Sequence, residues 1–390
     1  MNIGELIRRR RIDLRLSQQD LANLAGYKSR SAIAKIESGE NDVPTAKLSD
    51  FARALGLDPG ALIGSHPFAK GISEQQLLND AQAIAPVQTT GGVYTDDMRR
   101  EIVENIAKVF ECDEGDIREL APVQEGMTNI VLSFKLNGGR FIYRHPGLGS
   151  DALVNRGREA IMQKIVEDIG IDTTLVAMDV EEGWRIGRFV DNDGFDYHNL
   201  NDMVRGVMLL RRLHDAPCKV RWNYDVIARA EGIKAQIPEG RYGGFPAFEE
   251  IRRRIYRLDE LTKGDGVRRC SIHGDARDVN FLINKQEIHL IDWEYSGYGD
   301  PGFDIGSYVC GGDHSLEDID RILFTYHRHA PSPEQKRHFY AYIAITGWFY
   351  MHWTMLKESK GQKVGVNKGL WYGYARTFSE LALEMYEKEA

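Results

Sequence analysis

The chain has 390 residues, with 50 basic and 58 acidic side chains and a formal net charge of −8. This length exceeds one typical domain, and a hydrophobic fraction of 42% is ample for a packed core. No apolar run reaches the length of a membrane span, and four widely separated cysteines without paired spacing exclude a disulfide scaffold and favour a reducing, cytoplasmic setting.

The first 64 residues predict a small all-α domain. Leu16–Gly26 and Ser29–Gly39 have the pattern of a helix, a tight turn and a second helix, and Gly26 can adopt the positive φ of the turn. Flanking helices are expected at about residues 3–13 and 45–55, in place of a signal peptide. The apolar side chains expected to pack together are Leu21, Leu24, Ile33 and Ile36. This five-helix pattern resembles the helix-turn-helix domain of the Cro/repressor (XRE) family, which is lambda repressor-like.

The charge of this segment indicates a nucleic-acid partner. Residues 1–64 hold ten Lys and Arg against eight Asp and Glu, a net charge of +2, whereas the remainder carries −10. A positive face attracts DNA phosphates, and the second helix of this motif places its N-terminal part against base edges. The resemblance therefore implies double-stranded DNA as a partner, bound by a homodimer on paired half-sites; the alternative is a solvated arginine run. The predicted groove contacts are Ser29, Arg30, Ser31 and Lys35, and the predicted phosphate contacts are Gln18 and Lys28.

Residues 65–96 are predicted to form a linker. They contain His-Pro, Ala-Pro and Thr-Thr-Gly-Gly, which favour turns over regular structure. A short helix is expected in the middle of the linker, at Ser73–Ile84.

A phosphate-binding element is predicted shortly after the linker. Around Gly126, small residues would let backbone N–H groups approach phosphates, and Thr128 and Asn129 could add donors. Taken alone, this loop could equally be a plain β-turn. It is followed by the strand-like run Gly139-Arg-Phe-Ile-Tyr-Arg144, which ends in a cation, and by Glu159 in a helical segment.

The run from His273 to Asn280 carries the strongest chemical signal. It has the histidine, any residue, aspartate, four residues, asparagine spacing of a phosphoryl-transfer loop. Two short apolar runs follow and predict a β-hairpin, which would place Asn280 beside Asp292 at its two ends. Asp275 would then orient a hydroxyl, while Asn280 and Asp292 supply oxygen ligands for Mg²⁺. The alternative is an aspartate-rich loop whose carboxylates cap turns.

The sequence Ile291-Asp-Trp-Glu-Tyr-Ser-Gly-Tyr-Gly-Asp-Pro-Gly-Phe-Asp-Ile-Gly306 resembles the choline/ethanolamine kinase family, a relative of the aminoglycoside phosphotransferases. The resemblance covers about residues 97–388. It implies a multidomain chain whose second part is an α+β, two-lobed, protein-kinase-like domain that uses ATP and Mg²⁺. Residues 97–190 would form the N-lobe, which binds the nucleotide, and residues 191–390 the C-lobe.

The resemblance also implies roles for the residues of the first lobe. Gly126, Thr128 and Asn129 would form the phosphate loop. Arg144 would take the place of the strand lysine that binds phosphates, and Glu159 would pair with that cation.

The same resemblance implies a small amino alcohol as the phosphate acceptor. A quaternary ammonium is bound by aromatic faces, and Tyr350 and Trp353 lie three residues apart on one predicted helix face. Glu294 and Tyr295 follow the metal-site hairpin and complete the candidate substrate residues. The alternative for the aromatic pair is ordinary helical core. Choline and ethanolamine both stay open, because relatives tend to carry an acidic residue about where Gly311 stands.

The sequence therefore predicts a DNA-binding regulator fused to an ATP- and Mg²⁺-dependent kinase that phosphorylates choline or ethanolamine. Two alternatives stay open: a transcription factor whose kinase-like part senses a ligand without catalysis, and an aminoglycoside-type antibiotic phosphotransferase.

Overall fold

The computed structural model describes residues 3–13, 16–27, 29–41, 43, 47, 50–51, 54–55, 95–123, 130–146, 155–362, 364 and 367–388. The chain divides into two compact units. The first comprises residues 1–85, 225–268 and 300–390, and the second comprises residues 86–224 and 269–299. Residues 191–224 and 269–299 group with the strand-rich part, and the lobe boundary predicted at residue 190 stays a prediction. The boundaries predicted at residues 64 and 96 stay predictions.

Three complete helices are described in the N-terminal part of the first unit: α1 (Ile3–Asp13), α2 (Gln18–Leu24) and α3 (Arg30–Ser38). Ser17 caps α2 and forms a reciprocal capping box with Asp20, which satisfies amide groups that the first turn leaves unpaired. Residues 47, 50, 51, 54 and 55 are helical. The rest of the helix predicted at 45–55, and the linker helix predicted at 73–84, lie outside the described residues.

These helices share one apolar core. The buried side chains of this core come from residues 3–55 and include Leu21, Ile33 and Ile36 as predicted. Leu24 was expected to join them, but it is 56% exposed. The buried face of α2 is centred between Leu21 and Ala22, and Leu24 lies on the side of Leu21 that points away from Ala22, at the solvent edge of that face.

The second unit is built on a five-stranded antiparallel sheet with strand order β1-β2-β3-β5-β4. The helices α4 and α5 lie before the first strand and between the third and fourth strands. The bounds are α4 (Asp96–Phe110), β1 (Arg118–Pro122), β2 (Ile130–Leu136), β3 (Gly139–His145), α5 (Arg156–Asp168), β4 (Leu175–Met178) and β5 (Arg185–Arg188). In the β3–β5 register Arg144 is directly opposite Arg185. Two cations are thereby placed on one face of the sheet.

The same unit continues with a helix and two small antiparallel pairs, β6 with β9 and β7 with β8. The bounds are α6 (Leu200–Asp215), β6 (Cys270–Ile272), β7 (Phe281–Ile283), β8 (Ile288–Leu290) and β9 (Gly297–Gly299). The β7–β8 pair is the predicted hairpin, so that prediction is confirmed. Backbone N–H of Asp193 donates to Ile283 O at 2.8 Å, which attaches the segment after β5 to the hairpin.

The rest of the first unit is helical. The bounds are α7 (Val226–Lys234), α8 (Phe248–Thr262), α9 (Pro301–Gly311), α10 (Leu316–His327), α11 (Pro333–Ser359) and α12 (Asn367–Lys388). The long helix α11 is buried over most of its length. At Gly306 a Cβ atom would lie 2.3 Å from Thr346 Oγ1, so only glycine permits α9 to approach α11 this closely.

A buried ionic cluster joins the ends of these helices. His338, which is fully buried, contacts Asp265 Oδ2 through Nδ1 at 2.9 Å and Asp300 Oδ1 through Nε2 at 3.0 Å. Asp265 also accepts hydrogen bonds from Arg337 and Tyr386. Burial opposes the charged form of His338, but the two carboxylates outweigh it and raise the pKa of His338 to about 9.

Candidate active site

The loop that follows β6 is held in one conformation by His273. Its Nδ1 accepts the backbone N–H of Asp275 at 3.1 Å, so Nε2 carries the proton of the neutral ring and donates to Ile291 O at 2.9 Å. Gly274 has φ +87°, and a Cβ atom there would lie 2.4 Å from Tyr295 O. His273 is fully buried and hydrogen-bonded at both ring nitrogens, so its role here is to orient the loop.

Asp275 is presented at the surface of this loop with its carboxylate already oriented. Asn280 Nδ2 donates to Asp275 O at 2.7 Å and to its Oδ2 at 3.2 Å. Arg277 adds a forked contact, from Nε to Oδ1 at 2.8 Å and from Nη2 to Oδ2 at 3.2 Å. The sequence analysis assigned no role to Arg277. The only signal for it in the sequence was its position, two residues after Asp275.

The hairpin brings the two predicted metal ligands to one place. Ile291 N–H donates to Asn280 O at 2.9 Å, which puts Asn280 opposite Ile291 and next to Asp292. Asp292 has φ +71°, a left-handed conformation at the exit of β8. Asn280 Nδ2 is committed to Asp275, so its Oδ1 is the atom that can serve a metal. A carboxylate and an amide oxygen are hard donors, and this pair fits Mg²⁺.

Arg144 contacts both Glu159 and Asp292. The family resemblance implied the pair with Glu159 but not the pair with Asp292. Arg144 Nη2 contacts Glu159 Oε1 at 3.1 Å, and its Nη1 contacts Asp292 Oδ1 at 2.6 Å. The Arg144 and Glu159 side chains are only 7% and 2% exposed. Charge-assisted contacts of this kind compensate the cost of burying both groups.

Two further arginines and one further acid complete this cluster. Arg156 Nη1 contacts Glu159 Oε2 at 3.0 Å, and Arg185 Nη1 contacts Glu159 Oε1 at 3.2 Å. Glu294 Oε2 lies 3.8 Å from both Arg144 and Arg156. The cluster therefore contains three cations and three carboxylates. Sequence reasoning assigned no role to Arg156 or Arg185, because nothing in their local sequence shows that they converge on Glu159.

The electrostatics of the cluster separate its two hairpin-end acids. Burial favours the neutral form of Asp292, but Arg144 and Arg185 outweigh this effect and lower the pKa of Asp292. Burial and the nearby Asp292 raise the pKa of Glu294 to about 7. Burial and the charge of Arg144 lower the pKa of Arg185. Asp292 therefore carries the negative charge that a divalent ion requires.

Of the candidate substrate residues in this unit, Tyr295 follows Glu294 in a short 3-10 turn at the end of the hairpin. Burial raises the pKa of Tyr295, and its hydroxyl is hydrogen-bonded to Glu294. Both residues are half-buried.

The predicted aromatic pair lies in the first unit on α11. Tyr350 is only 4% exposed and its hydroxyl is 2.6 Å from Ser307 Oγ, so it packs as core in this structure. Trp353 is partly exposed, and both rings contact Trp371 of α12, with centroid distances of 4.9 and 6.1 Å. Lys357 Nζ lies 5.2 Å from the centroid of Trp353. Trp371 therefore extends the aromatic stripe from α11 to α12.

Most of the predicted DNA contacts lie around the start of α3. Ser29, Arg30, Ser31 and Lys35 are exposed, and Lys35 pairs with Glu40 at 3.1 Å. Gln18 is engaged inside the domain, because its Nε2 donates to Glu37 Oε2 at 2.9 Å. Glu37 is buried and is also held by Arg11.

Several predicted residues lie outside the part of the chain that the structure describes. They are Gly126, Thr128 and Asn129 of the phosphate loop, and Lys28 at the DNA-binding surface. Within the described ranges, no three His, Cys, Asp or Glu side chains converge to form a metal cage. No described helix is long and apolar enough to cross a membrane.

Comparison with known proteins identifies both parts of the chain. The family model for choline/ethanolamine kinase matches residues 120–349, and a helix-turn-helix domain model matches residues 2–63. Protein LicA of Haemophilus influenzae is 25% identical over 253 residues, which cover 61% of this chain and 93% of LicA.

Solved structures agree with the fold. Choline kinase LicA from Streptococcus pneumoniae superposes with a TM-score of 0.59 at 20% identity, covering 75% of this chain and 99% of that one. An apo aminoglycoside phosphotransferase, APH(4)-Ia, gives a TM-score of 0.50 at 12% identity and covers 72% of this chain and 99% of that one. The predicted fold class, a helix-turn-helix domain followed by an α+β kinase-like domain, is confirmed.

Proposed function

Because the chain belongs to the choline/ethanolamine kinase family, we propose that residues 97–390 transfer the γ-phosphate of ATP to the hydroxyl of choline or ethanolamine. The observation that carries the proposal is the convergence of Asp275, Asn280 and Asp292 at one end of a rigid hairpin. This is the set of side chains that phosphoryl transfer needs, because catalysis rests on positioning and charge neutralisation.

Each residue of the site has a distinct task in this reaction. Asp275 accepts the hydrogen bond of the substrate hydroxyl and aims its oxygen at the γ-phosphorus. Asn280 and Asp292 would hold Mg²⁺, which when bound neutralises phosphate charge. Arg144 would bind the phosphates together with the loop at residues 126–129.

The acceptor is the least constrained part of the proposal. A choline ammonium needs an aromatic face or negative charge, and Trp353 and Glu294 are the candidates. Tyr350 would have to leave its contact with Ser307 to take part. The aminoglycoside alternative requires several acidic contacts for a polyamino sugar.

A substrate screen tests the proposal directly. Release of ADP would be followed with choline, ethanolamine or kanamycin, each with and without Mg²⁺. Turnover with choline or ethanolamine that depends on Mg²⁺ is the expected result. Turnover with kanamycin alone would favour the antibiotic-modifying alternative, and none with any acceptor would contradict the proposed reaction.

A ligand-sensing role is the second candidate. It is favoured by the pairing of both key carboxylates with arginines, Asp275 with Arg277 and Asp292 with Arg144. A pure sensor would bind Mg²⁺–nucleotide or choline and change its DNA affinity without turnover. Measurement of DNA binding with and without these ligands, beside the turnover assay, separates sensor from enzyme.

The N-terminal domain would bind double-stranded DNA through α3. Exposed Ser29, Arg30 and Ser31 stand at the end of the helix that faces base edges in this motif. We expect a homodimer on paired half-sites, in the cytoplasm, where ATP and chromosomal DNA are both present. Sedimentation with and without DNA selected from genomic fragments tests the dimer.

A further inference from the structure

The three arginines of the buried cluster outnumber the two carboxylates within hydrogen-bond range of them. Glu159 receives Arg144 and Arg185 on Oε1 and Arg156 on Oε2, at 3.1, 3.2 and 3.0 Å. Arg144 alone also reaches Asp292 at 2.6 Å, whereas Arg185 stops 4.0 Å from the same oxygen. Glu159 therefore has three cationic partners for its single negative charge.

This surplus matters because Arg144 has two tasks that exclude each other. Its Nη1 is bound to Asp292, the carboxylate proposed for Mg²⁺, and its Nη2 is bound to Glu159. To bind a phosphate, the guanidinium must leave Asp292 and loosen its contact with Glu159. A buried carboxylate that loses its only partner is strongly destabilised. Glu159, which is 2% exposed, would face that cost if Arg144 were its sole cation.

Arg185 is placed to remove that cost. It is the cross-strand neighbour of Arg144 in the β3–β5 register, so both guanidinium groups approach Glu159 from the same face of the sheet. Arg185 has an 18% exposed side chain and shares Oε1 with Arg144. When Arg144 turns away, Arg185 can keep that oxygen paired while Arg156 keeps the other.

We propose that Arg185 is a positioning residue, which holds Glu159 in place and charge-compensated while Arg144 moves to the nucleotide phosphates. This inference rests on the proposed function and extends it to a residue outside the predicted site. Arg185 would act through Glu159 and not through direct contact with phosphate. That distinction can be measured.

A double-mutant cycle in the full chain makes the measurement. Binding of Mg²⁺ with a non-hydrolysable ATP analogue would be titrated for the wild type, Arg185→Met, Glu159→Gln and the double variant. We expect Arg185→Met to weaken binding by about tenfold in the wild-type background, and to have little further effect beside Glu159→Gln, where no carboxylate needs compensation. Arg185→Lys, which keeps the charge, should recover part of the affinity.

Arg188→Met provides the matched control. Arg188 lies three residues further along β5 and pairs with Glu287 at 2.9 Å, away from Glu159, so its loss should leave nucleotide affinity unchanged. The double variant removes one positive and one negative charge, so the net charge of the cluster is unchanged. It is the variant to measure if Arg185→Met alone fails to fold.

The outcomes separate this inference from the function on which it rests. An equal loss from Arg185→Met in both backgrounds, or no loss in either, would overturn the inference and leave the kinase assignment standing. A wild-type chain that binds no Mg²⁺–nucleotide would contradict both.

Discussion

Asp275 accepts hydrogen bonds from Asn280 and Arg277, and its orientation is therefore set by the loop itself. We predict that Asp275→Asn lowers turnover with the preferred acceptor by about 10²–10⁴-fold, because an amide cannot serve as the hydroxyl's proton acceptor. Nucleotide affinity should change little, since Arg144 and Asp292 carry that task. Initial rates and nucleotide titrations measured on one preparation test both statements.

Asp278→Asn is the control for that substitution. Asp278 lies in the same loop, where burial raises its pKa, but it has no role in the proposed transfer. Full turnover by Asp275→Asn, or an equal loss in both variants, would show that Asp275 has been given the wrong task.

His338 predicts how stability depends on pH. Its pKa is raised from 6.5 to about 9 by Asp265 and Asp300, against the opposing effect of burial. A raised pKa means that the contribution, about 3 kcal/mol for a shift of this size, is fully present below pH 6.5 and is lost as the pH rises through 9. The free energy of unfolding, measured in urea between pH 6 and pH 9.5, should fall over this window in the wild type and stay nearly flat in His338→Gln.

His352 supplies the comparison of opposite sign. Burial lowers the pKa of His352, whose Nδ1 contacts Trp348 O and whose Nε2 contacts Tyr242. Its contribution is lost as the pH falls, so His352→Gln should keep the decline between pH 6.5 and 9. A decline that persists in His338→Gln would show that other groups cause it.

At the level of single residues, the sequence predicted side chains whose spacing is local and missed those that tertiary structure assembles. Asp275, Asn280 and Asp292 were predicted because eighteen residues of chain hold all three. Arg156 and Arg185 come from a helix and a strand far from that loop. Arg185 reaches Glu159 because of the sheet register, and Arg156 reaches it because both residues lie on α5.

Among the elements, the packing of α9 against α11 depends on a glycine. A Cβ atom at Gly306 would lie 2.3 Å from Thr346 Oγ1 and 2.8 Å from the Tyr342 carbonyl oxygen. Since the backbone carbonyl cannot rotate away, we predict that Gly306→Ala destabilises the protein by about 1–3 kcal/mol, the range for overpacked cores. Urea unfolding of the full chain measures the change.

Gly232→Ala, in a different helix, is the matched control for Gly306→Ala. Gly232 lies within α7 and has no neighbouring atom within 4 Å of the position of a Cβ. Alanine there should stabilise by about 0.5–1 kcal/mol through helix propensity alone. If both substitutions shift the unfolding midpoint in the same direction, close approach at Gly306 is not the deciding factor.

Elements with a strong local signal were predicted within a few residues of their observed bounds, because the signals that define them lie within a few positions along the chain. The helix at residues 3–13 and the β7–β8 hairpin follow from periodicity and turn residues within a few positions. The aromatic stripe of α11 was ambiguous for the opposite reason, since core and ligand cages use the same residue types. The burial of Tyr350 and its contact with Ser307 depend on α9, which no spacing within α11 reveals.

For the whole molecule, two domains of opposite charge character share one chain. The core of the helix-turn-helix domain consists of side chains from residues 3–55. Its exposed cations, Arg30 and Lys35, are not part of the ionic cluster around Glu159. Any influence of one domain on the other would therefore be a coupling free energy between the two proposed binding sites, and such coupling is reciprocal.

This reciprocity gives the final prediction. Arg30→Ala together with Lys35→Ala should weaken binding to the preferred DNA sequence and relax the sequence specificity at the bases they contact, while turnover stays at the wild-type level. Asp275→Asn should lower turnover by about 10²–10⁴-fold and leave DNA affinity unchanged. If Mg²⁺–nucleotide changes the affinity for DNA by some factor, DNA must change the affinity for the nucleotide by the same factor. Titrations in both orders check this. Unequal factors would mean that one of the titrations had not reached equilibrium. Loss of turnover in the Arg30/Lys35 variant would mean that the domains are not separable.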